Sequence, residues 1–539
     1  MMMFSRTLIS AAAAAALLLA AGTCAAAPAT AQTAAATPVD PADVPAYNLD
    51  ADVNRVLKTF QVPGIAIAIV KDGKVVTAKG YGVRKLGEPK PVDEKTLFEV
   101  ASNSKAFTAA ALAMLVDEGK IAWDDPVTKH LPGFQMYDAY VTGAMTVRDL
   151  LTHRSGLGLG AGDLLWWPTT SFSTDEIIAR LRYIKPATSF RNNYAYDNLL
   201  YIVAGKIIAE KDGKPWGDAI RDRILTPLGM DGTTTSVAAM LASADHAAPH
   251  SKVNDKAVVV KPIPVPNAVG AVGLNTSAAD VARWMNLLLN DGKTADGKQL
   301  INAKQLAEMW TQQTPMRIRE PKPALAATKP NFSAYGLGFS LRDYKGRKIA
   351  MHGGALVGFY STVLMVPEEK LGIAILTNAE NGPAMAALYW RILDQYLKVP
   401  ASDWIKLYAE QEAASHKEEL ERQGKEVAAR ATRSSPSLPL ASYDGDYEDP
   451  WYGKVTICAE GGKRMMRFAR TPDLTGELEH FQHDTFIVRW KERSFNADAY
   501  VTFALNPDGS IERMKMAPIS TETDFSYDFR DLSFTPAPK

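Results

Sequence analysis

Strand-like segments stand on either side of a long helical region, and this arrangement constrains the fold more than any other feature. The segment GIAIAIVKDGKVVTAKGYG (64–82) gives two apolar runs around Asp72-Gly73, a dipeptide typical of a hairpin turn. The segment KIAMHGGALVGFYSTVLMVPEEKLGIAILTN, which begins at Lys348, returns to strands, whereas residues 120–330 carry helix and loop signals. We therefore predict an α+β fold in which one antiparallel sheet, built from both ends and flanked by helices, lies beside an all-helical lobe. The groove between sheet and lobe is the expected place for a site.

The remainder of the chain has a different pattern. A charged helical stretch over residues 401–432 is broken by RSSPSLPL, which begins at Arg433, so residues 401–435 are predicted to be a linker. From residue 436 to 539, alternating runs around glycine-containing turns predict a small antiparallel β-barrel. The expected organisation is therefore a signal segment (1–31), a main domain (32–400), the linker and the barrel.

The first residues have the form of a secretory signal. Arg6 precedes an apolar run, and small residues ending at Ala27 or Ala31 offer cleavage sites. A membrane anchor is the alternative, but the run is shorter than the roughly 18 to 20 residues of a membrane span. Lipidation at Cys24 is a second alternative. After cleavage only Cys458 remains, so we expect a periplasmic or secreted protein that has no internal disulfide.

Charge and composition exclude some classes of function. The chain contains 60 Lys+Arg and 60 Asp+Glu, so it has no excess positive charge for binding nucleic acid or an anionic membrane surface. Its 539 residues with 47% hydrophobic content are typical of a globular protein of more than one domain. The class of function that remains is chemistry on a small molecule or a peptide.

A serine and a lysine lie three residues apart at the start of a predicted helix. Ser102 and Lys105 open an apolar segment from Val100 to Glu118 that we expect to form an amphipathic helix ending at Gly119. Positions i and i+3 share one helix face, so the two side chains point into one space. Such a pair also arises by chance, and further features are needed.

Two more segments carry polar groups beside apolar runs. Tyr196 and Asn198 stand immediately before a helix, where both can face a cleft, although a buried tyrosine with an asparagine cap is the alternative. His352, Gly353 and Gly354 interrupt a strand, and paired glycines leave room for a substrate backbone along it. The alternative there is a glycine bulge beside a surface histidine.

Together these pieces resemble the serine β-lactamase-like family, which includes class C β-lactamases, penicillin-binding D-alanyl-D-alanine peptidases, D-aminopeptidases and related esterases. The resemblance covers about residues 50–397. Further segments similar to the family are TVRDLLTHRSGL (146–157), ILTPLGMDGTTTS (224–236) and GLNTSAADVARWMNLLL (273–289). The part from about residue 436 is similar to the lipocalin-like domain appended to some peptidases of this family.

The resemblance implies a role for each residue. Ser102 is the implied nucleophile, Lys105 its proton partner, Tyr196 the completion of the base system, and Asn198 a ligand of the substrate amide. The backbone N–H groups of Ser102 and Ala355 are the implied oxyanion donors. Burial can lower the pKa of a lysine by several units, which suits a base at neutral pH. No metal or cofactor is expected.

One departure from the family narrows the function. Many β-lactamases and D,D-peptidases have lysine where His352 stands and Thr-Gly where Gly353-Gly354 follow, so a fixed cation for a substrate carboxylate is missing unless His352 is protonated. We therefore expect an exported serine peptidase acting through an acyl-enzyme on short linear peptides, with a linearised microcystin as one candidate substrate. An esterase of the same fold, or a sensor that acylates without turnover, is the alternative. A homo-oligomer is a further expectation.

Overall fold

The computed structural model describes residues 44–538, so the expected signal segment lies outside the described residues. The helices are α1 (Leu49–Phe60), α2 (Ser104–Asp117), α3 (Val127–His130), α4 (Ala139–Ala144), α5 (Thr174–Arg180), α6 (Leu199–Asp212), α7 (Trp216–Ile220), α8 (Thr226–Leu228), α9 (Val237–Ala242), α10 (Val269–Val272), α11 (Ala278–Leu289), α12 (Ala303–Met309), α13 (Gly382–Leu397) and α14 (Trp404–Ala428). Among residues 44–538, none of these helices has the length and apolar composition needed to cross a membrane.

The strands fall into a first set in the main domain and a second set near the C-terminus. The first set is β1 (Gly64–Lys71), β2 (Lys74–Gly82), β3 (Phe98–Glu99), β4 (His250–Val253), β5 (Lys256–Val259), β6 (Asn275–Thr276), β7 (Thr314–Pro315), β8 (Ser333–Tyr335), β9 (Ser340–Tyr344), β10 (Arg347–Leu356), β11 (Phe359–Val366) and β12 (Leu371–Thr377). The second set is β13 (Gly445–Asp449), β14 (Gly453–Glu460), β15 (Lys463–Phe468), β16 (Thr475–Gln482), β17 (Thr485–Trp490), β18 (Ala499–Leu505), β19 (Ile511–Pro518) and β20 (Thr535–Pro536).

The main sheet joins the two ends of the first region, as the sequence predicts. Its order is β2-β1-β12-β11-β10-β9-β8-β7, and every pair is antiparallel. The β1–β12 pairing sets Ile65 opposite Thr377, which lies more than three hundred residues further along the chain. At the β1–β2 turn Asp72 and Gly73 both have positive φ, 51° and 77°, as a two-residue hairpin turn requires. The expected antiparallel sheet flanked by helices is therefore confirmed.

Both faces of strand β1 are buried, which explains its lack of polar residues before Lys71. Its even-numbered residues are small and face the side where α11 packs, whereas its isoleucines face α1 and α13. The two sets are Ala66, Ala68 and Val70 on one face and Ile65, Ile67 and Ile69 on the other. Each buried isoleucine contributes about 1.5 to 3 kcal/mol to folding, so this strand is a rigid centre from which the site is positioned.

Helix α2 differs from the amphipathic helix expected between Val100 and Glu118. A 3₁₀ turn, Ala101–Asn103, comes first, and α2 then runs to Asp117, followed by Gly119 with φ of 69°. The helix is buried on nearly all sides because α6, α10 and α12 pack around it. Its many alanines let these neighbours approach closely, so the apolar stripe predicted from the spacing is wrong and the whole helix is core.

The second set of strands forms a nearly closed antiparallel barrel, which confirms the predicted architecture. The order is β19-β18-β17-β16-β15-β14-β13-β20, and a backbone bridge between Met514 and Phe534 brings the last edge toward the first. Helix α14 leads into it; the indole N–H of Trp404 donates to Asp394 Oδ2 on α13 at 2.7 Å. The domain boundaries expected at residues 400 and 436 stay a prediction.

Candidate active site

Ser102 lies in the 3₁₀ turn that precedes α2, and Lys105 lies in the first turn of α2. The preceding residue, Ala101, has φ of 48°, a left-handed conformation that is uncommon for a residue with a side chain. Lys105 Nζ is 2.9 Å from Ser102 Oγ. The structure therefore brings the sequence pair into direct hydrogen-bond contact.

Lys105 is completely buried, and its surroundings suit a neutral amine. Burial lowers its pKa to about 7, although the nearby Asp163 charge acts in the opposite direction. Nζ also donates to Asn198 Oδ1 at 2.8 Å and to the Ala271 carbonyl at 3.2 Å. A neutral amine has two N–H groups and one lone pair. The two carbonyl oxygens use both N–H groups, so the lone pair faces the Ser102 hydroxyl.

The Asn198 amide is held at both ends within the protein. Its Nδ2 donates to Asp163 Oδ2 at 2.7 Å, while its Oδ1 accepts from Lys105. Asp163 also accepts from the Trp166 indole at 2.8 Å, and its burial raises its carboxyl pKa to about 7. Asn198 thus orients the lysine in the free enzyme, and contact with a substrate amide requires one of these bonds to exchange. Sequence reasoning missed Asp163, which follows a glycine-rich loop without any local motif.

Tyr196 lies over the lysine. Lys105 Nζ is 5.0 Å from the centre of its ring. Burial raises the pKa of Tyr196 well above its usual value, although hydrogen bonding with Ser102 acts in the opposite direction. Tyr196 is therefore a phenol at neutral pH, able to pass on a proton rather than to remove one.

His352 is a buried neutral histidine. Its Nε2 is 2.8 Å from the Tyr335 hydroxyl, and its Nδ1 is 2.6 Å from the Gly353 carbonyl. Both contacts fit a ring that donates from Nδ1 and accepts at Nε2. Burial, together with the Lys105 charge, lowers the pKa of His352 to about 3. It consequently supplies no positive charge for a substrate carboxylate at neutral pH.

The two glycines of strand β10 serve different purposes. A Cβ atom on Gly354 would lie 2.1 Å from the Val100 carbonyl oxygen, so β10 can approach the turn that carries Ser102 only with glycine there. A Cβ atom on Gly353 would meet nothing closer than 3.8 Å. The pairing of β10 with β9 ends at Met351, so the edge from residue 352 to 356 is free of β9. Gly353 thus leaves the space beside this part of β10 free of a side chain.

These residues surround one cavity of about 590 Å³. The predicted site residues that line it are Ser102, Tyr196, Asn198, His352, Gly353, Gly354 and Ala355. Lys105 is completely buried and bonded to Ser102, so it lies behind the cavity wall. All eight predicted residues are therefore brought together around a single space.

The barrel contributes a wall of the same cavity, which sequence reasoning missed. The barrel loop, residues 519–528, follows β19, and several of its residues line the cavity. Ser526 Oγ donates to Asp163 Oδ2 at 2.8 Å, and the Phe525 ring lies edge-on to Tyr196 with 5.8 Å between centroids. A Cβ atom on Gly160 would lie 2.7 Å from the Phe525 ring, so this part of the lobe is shaped to receive the loop.

Helix α14 holds the first part of the barrel loop. The Glu419 carboxylate accepts from Ser520 Oγ at 3.0 Å, from the Thr521 backbone N–H at 3.2 Å and from Thr521 Oγ1 at 2.7 Å. At the other end of the loop, the Gly162 backbone N–H donates to Asp528 Oδ2 at 2.9 Å. The loop is therefore fixed at both ends, with residues 522–525 between these anchors at the cavity. No short-range sequence pattern predicts contacts across 101 to 366 residues.

Comparisons with known proteins match two successive parts of the chain. A family model described as Beta-lactamase matches residues 49–397, and a Domain of unknown function (DUF3471) matches residues 429–536. An unguisins hydrolase of Aspergillus campestris is 30% identical over 85% of this chain and 86% of that protein. Penicillin-binding protein 4 of Amycolatopsis lactamdurans is 29% identical over 59% of this chain and 81% of its own length.

Solved structures show the same fold. The octameric penicillin-binding protein homologue from Pyrococcus abyssi aligns with a TM-score of 0.57 at 22% identity, over 90% of this chain and 98% of that chain. The alignment spans most of this chain, so the main sheet and the barrel occur together in a structure already determined.

Proposed function

The chain belongs to the β-lactamase family of serine hydrolases, and from that premise we propose that it is an exported peptidase that cleaves short linear peptides through an acyl-enzyme. One observation carries this proposal: the buried Lys105 amine, with a pKa lowered to about 7, lies 2.9 Å from the Ser102 hydroxyl. A serine hydroxyl becomes a strong nucleophile only when a base takes its proton as it attacks.

In the proposed reaction, the residues around the cavity act one after another. Lys105 accepts the Ser102 proton as Oγ attacks the scissile carbonyl, and the backbone N–H groups of Ser102 and Ala355 stabilise the negative oxygen. Tyr196, a phenol held beside both groups, passes a proton to the leaving amine. The Tyr196 oxygen then takes the proton that Lys105 holds, which leaves the amine neutral again. Water attacks the acyl-enzyme while Lys105 accepts a proton from it, and this proton passes to Ser102 Oγ as the acyl bond breaks.

The open edge of β10 favours a peptide as the substrate. Residues 352 to 356 are free of β9 and line the cavity, so an extended peptide can approach this edge as an added strand. Relatives named as an unguisins hydrolase and a penicillin-binding protein support hydrolysis or acylation in this family. A linearised microcystin remains one candidate substrate.

Product mass spectrometry over time tests the proposal. The mature protein and its Ser102→Ala control each receive linear peptides with L and D residues, a linearised microcystin, an unguisin, short acyl esters and a β-lactam. Peptide fragments that are missing in the control are the expected result, and they identify the bond that is cut.

Other products would point to the alternatives. Ester products alone would show an esterase, and a persistent acyl adduct without product would show a sensor. Detection of the mature protein outside the cytoplasm tests export, and sedimentation of the purified protein tests the expected homo-oligomer.

A further inference from the structure

The hydrogen bonds of His352 fix the position of its ring proton. The Gly353 carbonyl oxygen can only accept, so its 2.6 Å contact with Nδ1 places the proton on that nitrogen. Burial keeps the ring neutral, with a pKa lowered to about 3, so Nε2 carries a lone pair. The Tyr335 hydroxyl, 2.8 Å from Nε2, is therefore the donor in that bond. The three groups form one directed chain that runs from Tyr335 through His352 to Gly353.

Tyr335 is held firmly in the place from which it donates. It is the last residue of β8 and is completely buried. The centre of its ring lies 4.5 Å from that of the His153 ring and 5.8 Å from that of the Tyr194 ring. In the turn that follows β8, a Cβ atom on Gly338 would lie 2.9 Å from the Lys105 carbonyl oxygen. The segment that carries Tyr335 is therefore packed against the first turn of α2.

The bond from His352 reaches β10 where that strand loses one of its two neighbours. The pairing of β10 with β11 continues to Leu356, whereas its pairing with β9 ends at Met351. Glycine has the widest backbone freedom of any residue, and Gly353 and Gly354 follow one another here. This stretch has no side chains of its own to hold it. The His352 Nδ1–H therefore supplies a restraint in addition to the pairing with β11.

We propose that Tyr335 is a positioning residue of the active site. Its hydroxyl holds the His352 ring so that Nδ1–H fixes the Gly353 carbonyl, one peptide group before the Ala355 N–H. This inference rests on the proposed function, in which the Ala355 N–H is an oxyanion donor. Tyr335 is not among the described residues that line the cavity, so it acts on the reaction through His352.

The two bonds of His352 together determine where its ring can lie. In Tyr335→Phe the buried Nε2 lone pair has no donor, which costs free energy, and the ring recovers that cost by turning to meet water in the cavity that it lines. Turning the ring carries Nδ1 away from the Gly353 carbonyl oxygen. Moving the proton to Nε2 offers no alternative, because the Nδ1 lone pair would then face that oxygen and two acceptors repel each other. Loss of one hydroxyl therefore loosens a carbonyl that Tyr335 does not touch.

Nitrogen NMR of the full-length protein, labelled with ¹⁵N-histidine, tests the inference without requiring turnover. The signals of His352 are the ones that disappear in His352→Ala. We expect its proton on Nδ1, protected from exchange with water. In Tyr335→Phe that proton should exchange about tenfold faster, which corresponds to the loss of one hydrogen bond.

Labelling of Ser102 by a fluorophosphonate measures the effect on the reaction, because the phosphoryl oxygen gains negative charge as Ser102 attacks. Tyr335→Phe should lower the labelling rate constant by about tenfold, less than the full loss of an oxyanion donor. In a His352→Ala background the same substitution should change it by less than about twofold, since a residue that acts through another has no separate effect.

Tyr344→Phe is the matched control. Tyr344 is also buried, lies on β9 and donates to Asp394 Oδ1 at 2.7 Å, and it is not among the described residues that line the cavity. Its loss should change the labelling rate constant by less than about twofold and leave the Nδ1 proton of His352 protected. Urea unfolding of both variants shows whether their losses of stability are comparable.

Three results would each overturn the inference. They are a parent protein with no proton on His352 Nδ1, a folded Tyr335→Phe protein that exchanges this proton or labels Ser102 at the parent rate, and an equal effect of Tyr335→Phe with and without His352. The first needs no variant of Tyr335, so it applies whatever the stability of Tyr335→Phe. Failure of the proposed function is distinct, since it consists of the absence of Ser102-dependent peptide products, whereas the proton measurement involves no substrate.

Discussion

The two ends of the cavity are constructed in opposite ways. At the catalytic end, Ser102 and Lys105 lie three residues apart on one stretch of backbone and meet at 2.9 Å. At the other end of the cavity, which the barrel loop bounds, Glu380 follows the main sheet, whereas Asp524 and Tyr527 come from the barrel loop itself. The reactive pair is local in sequence, and the wall that faces the substrate is assembled from distant segments. The reactive pair therefore depends on one stretch of the chain, and the wall depends on several.

The largest effect is expected from removing Lys105 at the catalytic end of the cavity. Lys105→Ala should lower kcat/KM by about 10² to 10⁴-fold for every substrate, cationic or neutral, because it removes the base. Steady-state kinetics with charged and neutral substrates measures it. Lys348→Ala is the matched control, since burial also lowers the pKa of Lys348 but it does not line the cavity. A folded Lys105→Ala enzyme that retains most of its turnover would remove Lys105 from the mechanism.

A smaller effect separates the two neighbouring glycines. Gly354→Ala should lower the free energy of unfolding by about 1 to 3 kcal/mol, because its Cβ would collide with the Val100 carbonyl. Gly353→Ala should change it by less than about 0.5 kcal/mol while reducing kcat/KM for peptides, because its Cβ points into open space. Urea unfolding and peptide kinetics of both variants check this. Equal stability losses would show that β10 packs in the same way at both positions.

The smallest effect concerns Asp163, which connects the two ends. Its charge raises the pKa of Lys105, so Asp163→Asn should lower that pKa further. The rise of kcat/KM with increasing pH, which follows loss of the lysine proton near pH 7, should then shift to lower pH. At higher pH, where Lys105 is neutral in both proteins, kcat/KM should fall by no more than about tenfold. That fall is the cost of weakened hydrogen bonds to Asn198 and Ser526.

A pH–rate profile measures the Asp163→Asn shift. Asp484→Asn, which alters a carboxylate bonded to Tyr443 in the barrel, is the control and should leave the midpoint in place. A midpoint that moves upward or stays unchanged in Asp163→Asn would mean that the rise of kcat/KM with pH follows a group other than Lys105.

The features that could be predicted from the sequence are the ones that depend on residues close together in the chain. The hairpin at Asp72-Gly73 and the alternating strands predicted the main sheet and the barrel, because turn chemistry and strand periodicity are local properties. The closeness of Ser102 and Lys105 was also a local inference. The burial of α2 was not, since packing around a helix is set by elements far along the chain.

The cavity wall formed by the barrel loop could not be predicted either, because its contacts join segments that are far apart in the chain. Neither Asp163 nor Asp524 lies in a pattern that distinguishes it from an ordinary loop aspartate. Their importance arises only when the fold brings Ser526 within 2.8 Å of Asp163. A contact across 363 residues leaves no periodic signal in one sequence.

Helix α14 and its contact with the barrel loop have a consequence for how the cavity behaves on dilution. Glu419 holds Ser520 and Thr521, and the same polypeptide carries both walls of the cavity. The loop therefore meets the cavity at an effective concentration set by the chain that joins them and not by the concentration of protein in solution. A wall borrowed from a second subunit would be lost once the protein was diluted below the dissociation constant of the pair. A wall attached in this way remains in place for a single molecule.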